Sequence, residues 1–219
     1  MEQKNIETLT LKEIKNRLEG QVAATDMPMM EPGFAMLYGG KRQFGKAAVP
    51  HCPYRLPGIR IGLFIKGEAQ ITLNLIPRHL SGNTLTFFCD GAILQIDGIS
   101  NDSDVRGVLI EPWLMNELFP QGVPAMFNGQ VKDALMPVDD STFAKIQHLY
   151  EALALVLRDK PVSRSAALSI ISALCCVYSE YYVRVSAHPA EAPSRQRMLF
   201  DAFIALVNEH AKSEHNLAF

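Results

Sequence analysis

The sequence predicts an α+β chain. Alternating apolar positions fill residues 59–110, helical spacing takes over beyond Glu111, and a stretch dense in Gly and Pro precedes both. With 219 residues and 48% apolar content, the chain is long enough for one globular domain of ordinary size plus an accessory helical unit. Composition shifts mark four segments: an N-terminal helix and arm over 1–27, a β-rich body over 28–135, a helical unit over 136–188, and a linker with a further helix over 189–219.

The first helix is signalled by Thr10 and Glu13 at capping-box spacing, with Leu9 and Ile14 placed to form a hydrophobic staple and Gly20 to end it. Leu11, Ile14 and Leu18 give it one apolar stripe, as expected of a small helix lying on a larger body. From Pro28 to Pro57 the glycines and prolines leave room only for short strands and loops.

The body opens with Ile59, Ile61, Leu63 and Ile65 alternating with Arg60, Gly62, Phe64 and Lys66. Gly67-Glu68 reads as a two-residue turn, with Ala69, Ile71, Leu73 and Leu75 returning as the second strand of a hairpin. After Pro77-Arg78-His79, the Ser81-Gly82-Asn83 turn leads into strands expected over 84–89, 92–97 and 105–110, with Asp90-Gly91 as the turn between the first two. Short strands at this spacing indicate a sandwich or small barrel.

A short helix is expected around Trp113 to Phe119. Asp139 or Asp140 can cap the next, which carries Phe143, Ile146, Leu149, Tyr150, Leu153, Val156 and Leu157. Ser163 can cap another, whose stripe from Leu168 to Tyr182 is wider than one half-buried face needs, so two burial partners are implied. Residues 188–193 read as a linker, and Ser194 opens a final amphipathic helix.

Charge excludes some functions. The formal net charge is −2, and from Ser194 to Phe219 three basic residues are balanced by three acidic ones, so no surface for a polyanion is legible. The N-terminus lacks an apolar targeting segment, and no uninterrupted apolar run approaches the roughly 18 residues of a membrane span, which favours a cytoplasmic protein without membrane contact. The four cysteines lack metal-type spacing and read as reduced, mostly packed thiols.

No convergent nucleophile, base and acid stands out, so no catalytic residue is assigned. His51-Cys52 and His79 have the chemistry of zinc or iron ligands, but an exposed loop histidine and a packed cysteine explain them more simply, and no metal or other cofactor is expected. Asp97, Asp102 and Asp104 lack the distal bidentate glutamate of a calcium loop and read as turn residues. Gly39-Gly40-Lys41 lacks phosphate-loop spacing and reads as a turn.

Taken in order, a proline-punctuated arm, alternating strands, a helical pair, a linker and a new helix resemble AraC-type transcriptional regulators, particularly the form common in Bacteroidetes. The local carriers are His51-Cys52-Pro53-Tyr54-Arg55, Leu63 to Glu68, Leu80 to Phe88, and the ending Phe203 to Val207 through Glu214 to Phe219. The resemblance implies a cupin-like β-barrel (jelly roll) that senses a small-molecule effector, and helices that pair two subunits into a homodimer. DNA contact would fall to a C-terminal helix-turn-helix domain, of which residues 189–219 would hold only the linker and first helix.

For the pocket, the alternation nominates Leu63, Ile71, Leu73, Phe87 and Leu94, although core packing produces the same alternation. Leu149, Leu153, Leu168, Ile171 and Leu174 are the candidates for the dimer interface, with an intramolecular helix pair as the competing explanation. The runner-up function is a cupin-like isomerase or oxygenase. Metal-binding cupins carry a His-x-His cluster with a downstream Glu and a later His, and this chain offers only His51-Cys52-Pro53 in its place.

Overall fold

The computed structural model describes residues 6–23 and 27–187. The expected first helix, α1 (Leu11–Leu18), is present with both halves of its capping box. The Thr10 hydroxyl accepts the Glu13 N–H at 3.2 Å, and the Glu13 carboxylate accepts the Thr10 N–H at 2.7 Å. Leu9, Ile14 and Leu18 are buried, and Gly20 takes a left-handed φ of +71° just beyond the helix.

The strands form two sheets. One contains β1 (Glu7–Thr8), β4 (Pro53–Leu56), β6 (Glu68–Leu73), β7 (Ile76–Ser81) and β9 (Ala92–Ile99), in the order β1-β4-β9-β6-β7. The other contains β2 (Met29–Glu31), β3 (Phe34–Gly40), β5 (Ile59–Lys66), β8 (Thr84–Phe88), β10 (Asp104–Ile110) and β11 (Asp133–Pro137), in the order β11-β8-β5-β10-β3-β2. The mixed α+β class stands, and the described strands make two open sheets packed face to face, with no closed sheet among them.

The hairpin expected over 59–75 is not formed. β5 pairs with β8 and β10, whereas β6 pairs with β7 and β9, so Gly67 is the corner at which the chain leaves one sheet for the other. A Cβ there would lie 2.8 Å from the Ser103 Cα, and its φ of +88° also favours glycine. The true hairpin joins β6 to β7 through Asn74 and Leu75, both left-handed, and Pro77 lies inside the second strand. Proline is tolerated because β7 is an edge strand with hydrogen bonds owed on one side only. The remaining edges are blunted similarly: β1 has two residues, β2 three, and β11 ends in Pro137.

Short elements the sequence concealed include β11 and α2 (Lys41–Ala47), which follows β3 where Gly39-Gly40-Lys41 read as a turn. α3 (Leu114–Leu118) lies where expected. Asp139 caps α4 (Asp140–Arg158) by accepting the Thr142 N–H at 2.7 Å, and α5 (Arg164–Ala187) begins just after Ser163. By length and composition α5 could cross a bilayer, contrary to the sequence expectation, yet Ile171, Leu174, Cys175 and Tyr178 are wholly buried within the chain. Contacts divide the chain into compact units at 1–183 and 184–219, so arm, sheets and most of both long helices belong to one body. The expected linker and final helix lie outside the described residues.

The two sheets differ in burial. β6 alternates exposed Glu68 and Gln70 with buried Ala69, Ile71 and Leu73, so its sheet meets solvent on one side. β5 is buried on both sides from Ile61 to Phe64. Ile59, Ile61 and Leu63 share a face with Phe34, Met36, Leu85 and Phe87 through strand pairing, and Arg60, Gly62 and Phe64 share the other with Leu109, Thr86 and Val105. Helices α4 and α5 lie on the first face: the buried Tyr150 hydroxyl is 3.2 Å from the Ile61 carbonyl and 3.2 Å from the Tyr178 hydroxyl. Replacing Tyr150 by Phe leaves a buried carbonyl and a buried phenol short of a partner. Urea unfolding of Tyr150→Phe should show a loss of about 1–3 kcal/mol, and Thr10→Ala, which removes the cap of α1, a loss of about 1 kcal/mol.

Candidate functional site

Between the sheets lies an apolar cleft with two lobes. The first, about 50 Å³, is lined by the arm and α1 through Leu9, Ile14 and Leu18, by α2 through Phe44 and Ala47, and by Tyr54 and Arg60. The second, about 90 Å³, is lined by Phe64, Ala69, Ile71, Leu80 and Phe88. Phe44, Leu94, Ile96 and Val105 line both, so the lobes adjoin. Gly62 occupies the sheet between Arg60 and Phe64 on this face, where a Cβ would stand 2.5 Å from the Thr86 Oγ1. A cavity of about 150 Å³ accommodates benzene, so the two lobes used together suit a ligand with a body near the size of a single ring.

The arm is fastened over this cleft by Arg17. Its guanidinium donates to the Ala47 carbonyl at 3.0 Å and to the Tyr54 hydroxyl at 3.2 Å, pairs with Glu7, and lies 5.2 Å from the Tyr54 ring centroid. The hydrogen bond to Tyr54 is the leading reason its pKa is raised.

Arg60 is different. Its Nη2 donates to the Leu9 carbonyl at 2.9 Å, while its Nε is buried with no partner. Burial pulls its pKa down to about 10, opposed only by the charge of Glu111. A guanidinium held this way among apolar side chains is expensive unless something anionic completes it.

Of the five residues nominated for the pocket, Ile71 and Leu94 line the cleft, and Leu73 belongs to the same apolar cluster without lining it. Leu63 and Phe87 lie on the opposite face of the six-stranded sheet, because the apolar half of the β5 alternation turns toward the helices. Phe87 instead packs edge-on against Phe127, with ring centroids 5.4 Å apart. It lines a separate cleft of about 360 Å³ with Ile59, Met115, Cys89 and Lys132. That cleft is larger, but several of its polar groups are already engaged: Lys132 donates to the Gly129 carbonyl, Asp90 accepts the Gly58 N–H, and the Cys89 thiol, pushed up by burial, contacts the Asp90 carbonyl. The interior cleft is therefore the stronger site. Arg60, its most distinctive residue, sits half-buried in the polar half of an alternating strand, a position that normally faces water, and only its buried, unpartnered Nε gives it away.

For the dimer candidates, Leu153, Ile171 and Leu174 are fully buried within one chain, so a partner could reach them only after rearrangement. Leu149 and Leu168 are partly exposed. Among the described residues, none of the groupings of His, Cys, Asp and Glu could hold a metal ion. His51 and Cys52 precede β4, and His79 lies on β7, three strand spacings or about 14 Å away. His51 faces Asp97 at 3.4 Å instead. Asp97 also accepts from Gln95 and Thr72, and its pKa is lowered first by the Gln95 hydrogen bond. Asp102 lies 3.4 Å from Lys66.

No protein-family model matches the chain, and no curated protein matches it by sequence. Similar solved structures include apo ToxT from Vibrio cholerae, at 11% identity and TM-score 0.44, matching 81% of this chain and 65% of that one. The AraC-like transcriptional activator CuxR gives 9% identity and TM-score 0.38, over 85% of this chain and 60% of that one. A ToxT structure with bound unsaturated fatty acid gives 11% identity and TM-score 0.42, over 83% and 70% of the respective chains. The chain thus spans less than two thirds of the ToxT and CuxR structures first named, and overlap at this level identifies neither a family nor a ligand.

The cleft's packing gives a direct test. Ile71→Ala should cost about 2–4 kcal/mol in urea unfolding through lost burial and the enlarged cavity, and benzene should restore part of that loss if the added space joins the cleft.

Proposed function

We propose that the chain is the ligand-sensing part of an AraC-type transcriptional regulator, a cytoplasmic homodimer that binds a small molecule without transforming it. The apolar cleft between two sheets, roofed by the arm and α2 and holding one incompletely paired guanidinium, is the observation that carries this reading. The ordered sequence features that resemble AraC-type regulators support it. In this account DNA contact belongs to a C-terminal domain outside this sequence, and the effector changes the placement of that domain through the helical pair.

A physical route from cleft to helices is available. α2 covers the cleft and continues from β3, and the turn before β3 presents the Pro32 carbonyl, which accepts from Arg164 at the start of α5 at 2.6 Å. Arg164 also lies 3.5 Å from Glu117 of α3. A ligand that displaces α2 would act on α5 through this contact.

Two measurements test the proposal. A metabolite bound in the cleft at a hundred times its Kd should stabilise the metal-free protein by about 2.7 kcal/mol, raising Tm by several degrees, and should be recovered unchanged. Turnover of the compound would sink the sensor reading. Size-exclusion chromatography with light scattering should give two copies per particle, and a single copy at every concentration would remove the homodimer.

A further inference from the structure

We infer that the interior cleft binds an apolar monocarboxylate, with Arg60 as the anchor for the carboxylate. This rests on the reading of the cleft as a ligand site and specifies what the ligand is. Arg17, Arg106 and Arg164 each face a carboxylate, of Glu7, Asp104 and Glu117 respectively. Arg106 also lies over the Tyr38 ring, 4.0 Å from its centroid. Arg60 is less well compensated: among the described residues no carboxylate forms an ion pair with its guanidinium, the charge of Glu111 acts on it only from beyond ion-pair distance, and the Leu9 carbonyl is its one hydrogen-bond acceptor. Its Nε is buried, and the residue lines a cleft otherwise formed almost wholly by apolar side chains.

Guanidinium N–H groups present a planar fork that matches a carboxylate better than any neutral acceptor. In the absence of water a paired carboxylate offsets the desolvation of the guanidinium, which a purely apolar ligand leaves uncompensated. The polarity of the cleft fixes the ligand's direction. Arg60 lines the first lobe, and Phe64, Ala69, Ile71 and Leu80 line the second. Phe64 lies four positions beyond Arg60 on β5, about 13 Å along the strand. The ligand's acid group lies under the arm beside Leu9, and its apolar body, of ring size, passes Phe44 and Leu94 toward Ile71. A dicarboxylate or a sugar fits poorly, because the second lobe offers almost no polar partner.

Phenylacetate and its neutral isostere phenylacetamide separate charge from shape. With 13C-labelled isoleucine methyls, phenylacetate should shift Ile71 and Ile96 on titration, and phenylacetamide should bind at least tenfold more weakly, the loss of one charge-assisted contact. Arg60→Met should weaken phenylacetate at least tenfold and phenylacetamide far less, so that the preference for the acid is lost, while Arg60→Lys should retain much of that preference. Equal binding of the two probes to the wild-type chain overturns the role of Arg60 even if the variants fail to fold, and leaves the cleft as a ligand site. Binding of neither probe overturns the inference outright, whereas the sensor reading is decided separately by the metabolite and turnover measurements.

Discussion

Burying both faces of a six-stranded sheet is the constraint from which the rest of this architecture follows. A strand such as β5, apolar on one side and nearly closed off on the other, needs two covers. The second sheet supplies one and the α4–α5 pair supplies the other, locked to the Ile61 carbonyl by the buried Tyr150 hydroxyl. Strands of the two sheets are close in sequence, so the chain must cross between them at tight corners, and Gly67 marks one such crossing. The cleft is the space left where side chains of the two inner faces do not fully interdigitate.

Local signals were the most legible in the sequence. The capping box at Thr10 and Glu13, the Asp139 cap, and the strands beginning at Ile59, Thr84 and Ala92 depend on residues near one another in the chain and appear where their spacing places them. Partnership between strands was not legible, since an alternation of apolar and polar residues reads identically whether the next strand pairs beside it or crosses to the opposite sheet. That is why Ile59–Lys66 and Glu68–Leu73 look like a hairpin and are not. The same ambiguity divides the pocket candidates: period two marks Ile71, Leu94, Leu63 and Phe87 alike as packed, but only the sheet's surroundings decide that the first pair meets the cleft and the second pair its opposite side. Prolines hid β7 and β11, because a residue that stops a central strand is harmless at an edge.

The arm is part of the site and not an appendage to it. Leu9, Ile14 and Leu18 complete the wall of the first lobe, and Arg17 ties them to α2 and β4 through carbonyl, hydroxyl and aromatic contacts at once. The Leu9 carbonyl is also the acceptor for Arg60, so the same short segment closes the cleft and steadies the one charged group that lines it among the described residues. A change in the occupancy of the cleft would thus be felt at the arm as directly as at the sheets.

The blunted borders of both sheets have a further consequence for how copies of this chain can meet. A two-residue β1, a three-residue β2, Pro77 in β7 and Pro137 closing β11 deprive each border of the long unbroken row of donors and acceptors on which strand-by-strand polymerisation depends. Crowded copies are in this way kept from templating one another into extended fibres, and a specific assembly has to be built from side-chain surfaces, whose shape selects a partner and sets a finite number of subunits.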